Sequence, residues 1–306
     1  ATKGWVPISD DAVAKDHTPP PTQKGIFAFG WTSSRVSMSN LVNSSGVIAS
    51  DVSGVGTARY GVAAATYGTD KAIFGFGNSG SLTNLSNLVS NSGVVASDTS
   101  GVGSARQYIM AAKYGGDKAI FGYDESTDVT NLVSNVGVVA SDVTGVGTAR
   151  GGSAGTTYGT DKAIFAYGRA SSTNVSMSNL VSNVGVMAAD VTGVGTARYL
   201  LKATGYGSGG QAIFGYGQAA SVTAISNLCS NTGVIATDTS GVGTARYNPG
   251  ATSYGGDKAI FAYGDDGSPN TAVSNLVNSS GVIASDVTGV GTARANLAGA
   301  GYSLSA

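Results

Sequence analysis

The sequence predicts an all-β fold built from six copies of one unit, and three observations support this. Gly supplies 47 of the 306 residues, about twice its average share, and no 3.6-residue apolar pattern persists. A hexapeptide resembling KAIFGF (residues 71–76) occurs six times, with its Phe spaced 44 to 49 residues apart. A second block, which ends in TAR or SAR, occurs six times between the hexapeptides. Units of this length, with four short strands each, predict a β-propeller of six four-stranded blades.

The first strand of a unit is the run of small residues after each Arg, such as residues 61–68 (GVAAATYG). The second strand is the hexapeptide, in which Ile73 and Phe74 point to opposite faces. Because both are large and apolar, this strand is expected to be buried on both sides, and Gly75 leaves room for a side chain of the neighbouring sheet. The runs NLV and GVVAS, separated by turns of Ser, Asn and Gly, predict the third and fourth strands. A parallel β-helix is the alternative fold, but its coils are shorter than this unit.

The phase of the repeat predicts how the chain closes. The first hexapeptide begins at Lys24 with a second strand, whereas residues 294–303 read as a first strand. The C-terminal strand is therefore expected to join the first blade and so to close the array, leaving no open end. The expected blades are residues 24–59 with 294–303, 60–106, 107–150, 151–198, 199–246 and 247–293.

Residues 1–23 lie outside the repeat and are expected to form an extended N-terminal arm beside a propeller domain, residues 24–306. Trp5 and Ile8 are apolar residues of this arm that no core-forming unit contains. We expect them to anchor the protein to a protein partner in an assembly.

Composition and charge exclude several classes of function. Lys and Arg (17) nearly balance Asp and Glu (18), so the basic excess of a nucleic-acid binder is missing. With one Cys and one His, neither a disulfide framework nor a His/Cys zinc site is expected, and no cofactor is expected. No apolar run approaches the ~18 residues of a membrane span, and the N-terminus shows no signal-peptide h-region. A soluble protein is the expectation.

Two polar residues recur in every unit and are expected to be structural. An Asp precedes each G-V-G turn, where it can accept hydrogen bonds from backbone N–H groups. The Arg of each TAR or SAR has five donors with which to brace loop carbonyls. The Asp residues are Asp51, Asp98, Asp142, Asp190, Asp238 and Asp286, and the Arg residues are Arg59, Arg106, Arg150, Arg198, Arg246 and Arg294. Cys229 stands where the other units have Val, which indicates a small buried side chain rather than a nucleophile.

Two segments differ among the six units: the loop after the hexapeptide strand, and the start of the first strand after Arg. In an antiparallel blade both lie at the same end, whereas the opposite end, with its YG[TG]DK turns, is nearly uniform. The differing end is rich in Tyr, Trp and Arg, the residues that dominate contact energy in interfaces, and its Tyr residues are expected to ring the mouth of the central channel. The candidate binding face comprises Trp31, Arg35, Tyr60, Tyr108, Asp124, Glu125, Arg169, Tyr199, Tyr247, Asp265 and Asp266.

The order of motifs in the unit, R…GDK-A-I-F-G-[FY]-G…N-L-V…T-A-R, resembles kelch-type propellers over about residues 24–306. Kelch units usually carry paired glycines and a Trp, whereas this unit has GFG or AYG. The unit DKAIFGYG…SNLVSN.GVVASDVTGVGTAR is also similar to repeat proteins of bacteriophages. This second resemblance implies a non-catalytic binding or structural protein of the virion, such as a tail, fibre or decoration protein. Its partners would be virion proteins or a host surface glycan or receptor.

Two other functions stay open. A lectin-like propeller would bind carbohydrate on the same face, and a glycoside hydrolase would use paired Asp residues. Nearly all Asp residues occupy repeated positions, and Glu125 is the single Glu. The residue set therefore favours a protein that is not an enzyme.

Overall fold

The computed structural model describes residues 23–267 and 270–303. Trp5 and Ile8 lie outside the described residues, so the anchor expected of the N-terminal arm stays a prediction. The division of the chain into an arm and a propeller domain stays a prediction for the same reason.

The described residues form eighteen β-strands and no helix, and the strands build six antiparallel sheets of three. The first strands are β3 (Ala63–Tyr67), β6 (Met110–Tyr114), β9 (Ala154–Tyr158), β12 (Lys202–Tyr206), β15 (Gly250–Tyr254) and β18 (Ala298–Tyr302). The second strands are β1 (Lys24–Trp31), β4 (Lys71–Asn78), β7 (Lys118–Gly122), β10 (Lys162–Ala170), β13 (Gln211–Gly215) and β16 (Lys258–Asp265). The third strands are β2 (Arg35–Val42), β5 (Leu82–Val89), β8 (Thr130–Val133), β11 (Thr173–Val181), β14 (Ser226–Cys229) and β17 (Asn270–Val277). Within this part of the chain there is accordingly no helix that could span a membrane.

The predicted all-β fold of six repeated units is confirmed, but the prediction of four strands per blade is wrong. The segment expected as the fourth strand of the first blade, residues 47–52, forms two isolated bridges with β2 rather than a continuous ladder. Between these bridges the Asn40 side chain donates from Nδ2 to the carbonyl oxygen of Ala49 at 3.0 Å and to Oδ1 of Asp51 at 2.8 Å. The side-chain amide of Asn40 thus supplements a few backbone hydrogen bonds to this segment, and no regular fourth strand forms.

The second strands are buried on both faces, as the sequence predicted. In β4, Ile73 and Phe74 are both completely buried although they point to opposite sides. A Cβ atom placed on Gly75 would lie 2.9 Å from Cζ of Phe121 in the next sheet. The absence of a side chain at Gly75 thus lets the neighbouring sheet pack closely.

The six first strands lie next to one another in a ring. Each contacts the first strand of the sheet before it and of the sheet after it, so the circuit of six is unbroken. The C-terminal strand joins the first sheet as expected: β18 pairs with β1 from the Lys24–Tyr302 pair to the Ala28–Ala298 pair. No single sheet closes on itself. The ring is closed by packing between the first strands of neighbouring sheets.

At one end of this circuit, six backbone hydrogen bonds link the sheets in a closed ring, which we name the axial ring. Each donor stands two residues after a repeated Arg, and its N–H donates to its counterpart's carbonyl oxygen in the preceding sheet, at 2.6–3.2 Å. All six residues have left-handed φ angles between 50° and 64°. The axial ring comprises Gly61, Tyr108, Gly152, Leu200, Asn248 and Asn296.

A second set of six hydrogen bonds links neighbouring sheets at the opposite end, in the turns between first and second strands. We name it the turn ring; its N···O distances are 2.7–2.9 Å. The donors are Gly68, Gly115, Gly159, Gly207, Gly255 and Ser303, and the acceptors are the carbonyl oxygens of Asp117, Asp161, Gly210, Asp257, Gln23 and Asp70, respectively. The six sheets are therefore tied together at both ends of the first strands.

Candidate binding site

The two differing segments of a sheet lie side by side, around the axial ring. Tyr60 forms an isolated bridge with Asn78, and Tyr247 forms one with Asp265. This follows from antiparallel pairing, which sets the start of a first strand opposite the end of the second strand. The loops that differ among the units therefore share one end of the molecule, which we name the varied face.

Beneath the varied face, the repeated Arg side chains are buried. Arg150 is representative: its Nη2 donates to Oδ1 of Asn179 at 2.7 Å, and its Nε donates to the carbonyl oxygen of Tyr167 at 2.9 Å. Its guanidinium carbon lies 5.2 Å from the ring centre of Tyr123 in the preceding sheet. Each repeated Arg stacks on such a ring, Phe or Tyr. These residues brace neighbouring sheets, as the sequence predicted.

The repeated Asp residues are also engaged in the structure. Asp190 accepts a hydrogen bond from Oγ1 of Thr148 at 2.7 Å and one from Nδ2 of Asn179 at 2.8 Å. Burial acts to raise the pKa of Asp190, but the hydrogen bonds from Thr148 and Asn179 outweigh it and hold the pKa below its ordinary value. The carboxylate therefore remains an ionised acceptor that connects two sheets. Nowhere in the described residues do three or more His, Cys, Asp or Glu side chains meet as a metal site would require.

The varied face contains a cleft of about 460 Å³ beside the axial ring, which we name the varied-face cleft. It reaches from the second sheet to the fifth. Residues of the candidate binding face that line it are Tyr108, Asp124, Glu125, Arg169 and Tyr199. Its wall also includes Leu82, Gln107, Ser126, Gly151, Gly152 and Leu200, none of which the sequence had singled out as binding residues.

An ion pair and an aromatic ring supply the chemistry of the varied-face cleft. Nε of Arg169 lies 3.2 Å from Oε1 of Glu125, and Nη2 lies 3.4 Å from Oε2. The guanidinium carbon of Arg169 is 4.6 Å from the ring centre of Tyr199. The hydrogen bond and the charge of Glu125 raise the pKa of Arg169. The cleft thus presents donors, acceptors and an aromatic surface within a short distance of one another.

Asp124 shapes the cleft from the loop between β7 and β8. Its Oδ1 accepts hydrogen bonds from the N–H of Ser126 at 2.7 Å and from the N–H of Thr127 at 2.9 Å. This Asx turn follows soon after the second strand of the third sheet. That strand, β7, ends at Gly122, whereas the second strand of the next sheet runs to Ala170. The loop of the third sheet therefore extends less far than the corresponding loop of the fourth sheet, and the cleft occupies the space next to it.

Trp31, Arg35 and Tyr60 form a separate cluster on the first and second sheets. The ring centres of Trp31 and Tyr60 lie 5.4 Å apart. The Arg35 guanidinium carbon is 5.8 Å from the centre of Trp31 and 5.9 Å from that of Tyr60. This cluster contacts Tyr108, whose ring centre lies 6.0 Å from that of Tyr60, so it adjoins the cleft without lining it.

The remaining predicted residues lie on the sixth sheet. The hydroxyl of Tyr247 donates to Oδ2 of Asp265 at 2.7 Å. Burial, reinforced by that hydrogen bond, raises the pKa of Tyr247 to about 12. Asp266 follows in the same loop and is exposed. The structure therefore distributes the candidate binding face over three groups rather than one site.

The Tyr residues of the candidate binding face nevertheless approach one another. Burial raises the pKa of Tyr108 to about 12, and Tyr60, Tyr247 and Tyr199 add to that rise. The ring centres of Tyr60 and Tyr108 lie 6.0 Å apart, whereas the expected ring of Tyr residues at the mouth of the channel stays a prediction.

In the wall of the cleft, one sheet has Gly where three others have Tyr. Gly151 stands at the position of Tyr60, Tyr199 and Tyr247, the residue directly after the repeated Arg. A Cβ atom on Gly151 would lie only 3.0 Å from the backbone nitrogen of Glu125. The signal for this site was therefore present as the Gly-Gly pair at residues 151–152, but its meaning depends on the neighbouring loop, which the repeat alone does not position.

At the opposite end of the molecule, charged side chains pair with one another. Lys71 pairs with Asp70 at 3.1 Å, and Lys118 pairs with Asp117 at 3.4 Å. Asn91 donates from Nδ2 to the second carboxylate oxygen of Asp70 at 3.1 Å. The Lys–Asp contact recurs in the sixth sheet, and the Asn–Asp contact recurs in the third and fourth sheets, so much of this end presents similar small polar groups.

Cys229 is buried at the position where the other sheets have Val. Burial raises the pKa of its thiol to about 12, so the nucleophilic thiolate is scarce at neutral pH. This agrees with the interpretation of Cys229 as a small apolar residue of the core.

Comparison with protein-family models gave no match to this chain, and a search of curated proteins gave no relative.

Proposed function

We propose that the protein is a non-catalytic, kelch-like propeller of six blades that binds a partner through its varied face. The observation that carries this proposal is the position of the varied-face cleft. It lies where the six units differ from one another, and Tyr199 and Arg169 line it. Aromatic and Arg side chains in a concave site are the residues that contribute most to binding energy.

The engagement of the carboxylates supports binding rather than catalysis. Glu125 is held by Arg169, and Oδ1 of Asp124 is held by two N–H groups of its own turn. A glycoside hydrolase needs two carboxyl groups poised on either side of a bond, one of them protonated. The hydrolase alternative therefore has less support than a binding role.

A protein or receptor partner in a virion is the setting that we propose, and the similarity of the repeat unit to bacteriophage repeat proteins supports it. Within such an assembly the varied face would contact a virion protein or a host surface. Co-purification of the protein with phage-like particles tests this setting, and its absence from such particles would contradict it.

Carbohydrate is the second candidate ligand, and a specific observation favours it. Tyr199 and the Arg169–Glu125 ion pair place an aromatic ring beside paired donors and acceptors, an arrangement that can pack against a sugar and hydrogen-bond its hydroxyls. A glycan array probed with the wild-type protein separates this candidate from a protein partner.

Substitutions on the two ends of the molecule test the binding face itself. The double variant Tyr199→Ala with Arg169→Ala is expected to weaken binding to the particle or glycan by about 1–3 kcal/mol, with the fold retained because both side chains are partly exposed. The matched control is Lys71→Ala with Lys118→Ala at the opposite end, which should bind like the wild type. Equal binding by the Tyr199 and Arg169 variant, or loss of binding by the Lys control, would contradict the proposed face.

A further inference from the structure

Two lysines project from the first strands, where the other sheets have small or neutral residues. Lys202 stands at the position occupied by Ala63, Met110, Ala154, Gly250 and Ala298. Lys113 stands at the position of Thr66, Thr157, Gly205, Ser253 and Gly301. Both lysines are half-buried, and a cation withdrawn from water without an anionic partner is costly.

Both lysines line the central channel. The part next to the axial ring has a volume of about 40 Å³ and is lined by Lys202 and Ser153, among others. The wider part has a volume of about 180 Å³ and is lined by Lys113 and residues of all six first strands. The two parts share lining residues such as Ala111 and Ala203, so they are continuous. The smaller volume alone is roughly three times what a water molecule needs.

The lining of this channel contains no carboxylate to neutralise the lysines. Among the described residues the ammonium group of Lys202 has no hydrogen-bond or ion-pair partner, and burial lowers its pKa to about 8. Burial also lowers the pKa of Lys113, and only Asp117, in the turn outside the channel, opposes that effect. At neutral pH the channel therefore holds positive charge without a matching anion.

A second polar residue that lines the narrow part has a hydroxyl without a partner, and this hydroxyl lies close to Gly168 of the same sheet. Oγ of Ser153 is buried and makes no hydrogen bond within the described residues. The other sheets have an apolar residue at this position: Val62, Ile109, Leu201, Pro249 and Leu297. Ser153 and Lys202 are thus two polar exceptions in otherwise apolar or small positions, and they line the same narrow part of the channel.

We propose that the central channel is a binding site for a small inorganic oxyanion, held by Lys202 beside Ser153 and attracted through the wider part by Lys113. An oxyanion such as phosphate would accept hydrogen bonds from the ammonium group and would remove the cost of burying its charge. The wider part, which Lys113 lines together with turn-end residues such as Gly301, would admit the anion.

This site is independent of the partner proposed for the varied face, and inorganic phosphate is the probe that tests it. Calorimetric titration of the full chain with phosphate at pH 7, at constant ionic strength in chloride, is expected to show one bound anion per chain. In Lys202→Ala the affinity should fall about tenfold or more, the loss expected for one charge-assisted hydrogen bond. Ala is compatible with this position because three other sheets have it there.

The control is Lys71→Ala, which removes a lysine outside the channel that is paired with Asp70 and should bind phosphate like the wild type. Crystals grown with selenate provide a second readout, an anomalous peak beside Lys202. No binding by the wild type, equal affinity in Lys202→Ala, or the absence of a peak in the channel would each overturn the proposal.

Discussion

A side-chain node that occurs in every sheet connects neighbouring sheets of the molecule. In the fourth sheet, Asn179 accepts from Arg150 through Oδ1 and donates to Asp190 through Nδ2. Asp190 in turn accepts from the N–H and the hydroxyl of Thr148, and its Oδ1 lies 3.8 Å from Nη1 of Arg150. A buried guanidinium is tolerated here because its donors are met by Asn and backbone oxygens, and because a carboxylate lies nearby.

The sequence predicted part of this node. The regular recurrence of Arg150 and Asp190 in their units indicated structural roles, but Asp190 accepts from Thr148 of the preceding unit rather than from the turn that follows it. The role of Asn179 was not anticipated, because Asn in an N-L-V run reads as a strand or turn residue. Only the packed sheets show that this side chain lies between the Arg and the Asp.

The node makes stability depend on pH, and Asp190→Asn tests it. The pKa of Asp190 is held below its ordinary value by hydrogen bonds, so its ionised form stabilises the folded state at neutral pH. That contribution is present above the unfolded-state pKa of about 4 and is lost as the pH falls through the lower folded-state value. At pH 7, Asp190→Asn should unfold with a free energy about 1–2 kcal/mol lower than the wild type.

Denaturant unfolding at a series of pH values measures the effect. The difference between wild type and Asp190→Asn should shrink between pH 5 and pH 3, because protonation of the wild-type carboxyl removes the same charge. A difference that stays constant over this range would show that the charge of Asp190 does not contribute to stability. Asp161→Asn, at the exposed opposite end, is the matched control and should cost less than about 0.5 kcal/mol.

The strands show where repeat patterns predict structure and where they do not. The large apolar pair Ile73 and Phe74 predicted a strand buried on both faces, and burial in β4 agrees because the same hexapeptide faces the same neighbours in every unit. The prediction of a regular fourth strand was wrong because the outer segment meets the third strand only at isolated bridges, and the Asn40 side chain bonds to it between them. The cleft was missed because it depends on Gly151 and on the early end of β7, which are departures from the repeat.

Removal of the last strand tests its role in the first sheet. Deleting residues 294–306 would remove β18, which pairs with β1 over five residue pairs. It would also remove Arg294, whose Nη2 donates to Asn40 at 2.7 Å. Both the axial ring and the turn ring would lose a member. We expect the free energy of unfolding to fall by about 3–5 kcal/mol or more, seen as a lower denaturant midpoint.

A shorter deletion provides the control for the loss of β18. Removal of residues 304–306, which leaves β18 complete, should leave the denaturant midpoint unchanged. If the protein lacking residues 294–306 unfolds at the wild-type midpoint, the last strand does not hold the ring together.

At the scale of the whole molecule, two closed circuits of hydrogen bonds join the six sheets. The sequence indicated that the chain would close through its last strand, because it begins and ends out of phase. It did not indicate the axial ring, whose members range from Gly61 to Leu200 and Asn296 and share a backbone conformation but no residue type. Since each hydrogen bond needs both neighbouring sheets in place, the ring should unfold as a unit.

The closed circuits imply that the position of the chain ends is not essential, and a circular permutant tests this. In the third and sixth sheets, three residues with Gly in the middle connect the Tyr of the first strand to the Lys of the second, as at residues 115–117 and 255–257. In the first sheet Tyr302 pairs with Lys24, and Ser303 and Gln23 occupy the outer two turn positions in the turn ring. A single Gly between Ser303 and Gln23 would therefore rebuild the same turn.

New ends placed at Gly80, an exposed loop residue with open space around it, should give a permutant that melts in one transition within a few degrees of the wild type. The matched permutant opened between Phe74 and Gly75, inside buried β4, should fail to fold because it cuts a strand paired on both edges. A Gly80 permutant that melts in several steps or far below the wild type would mean that the natural connection, and not the circuits, holds the six sheets together.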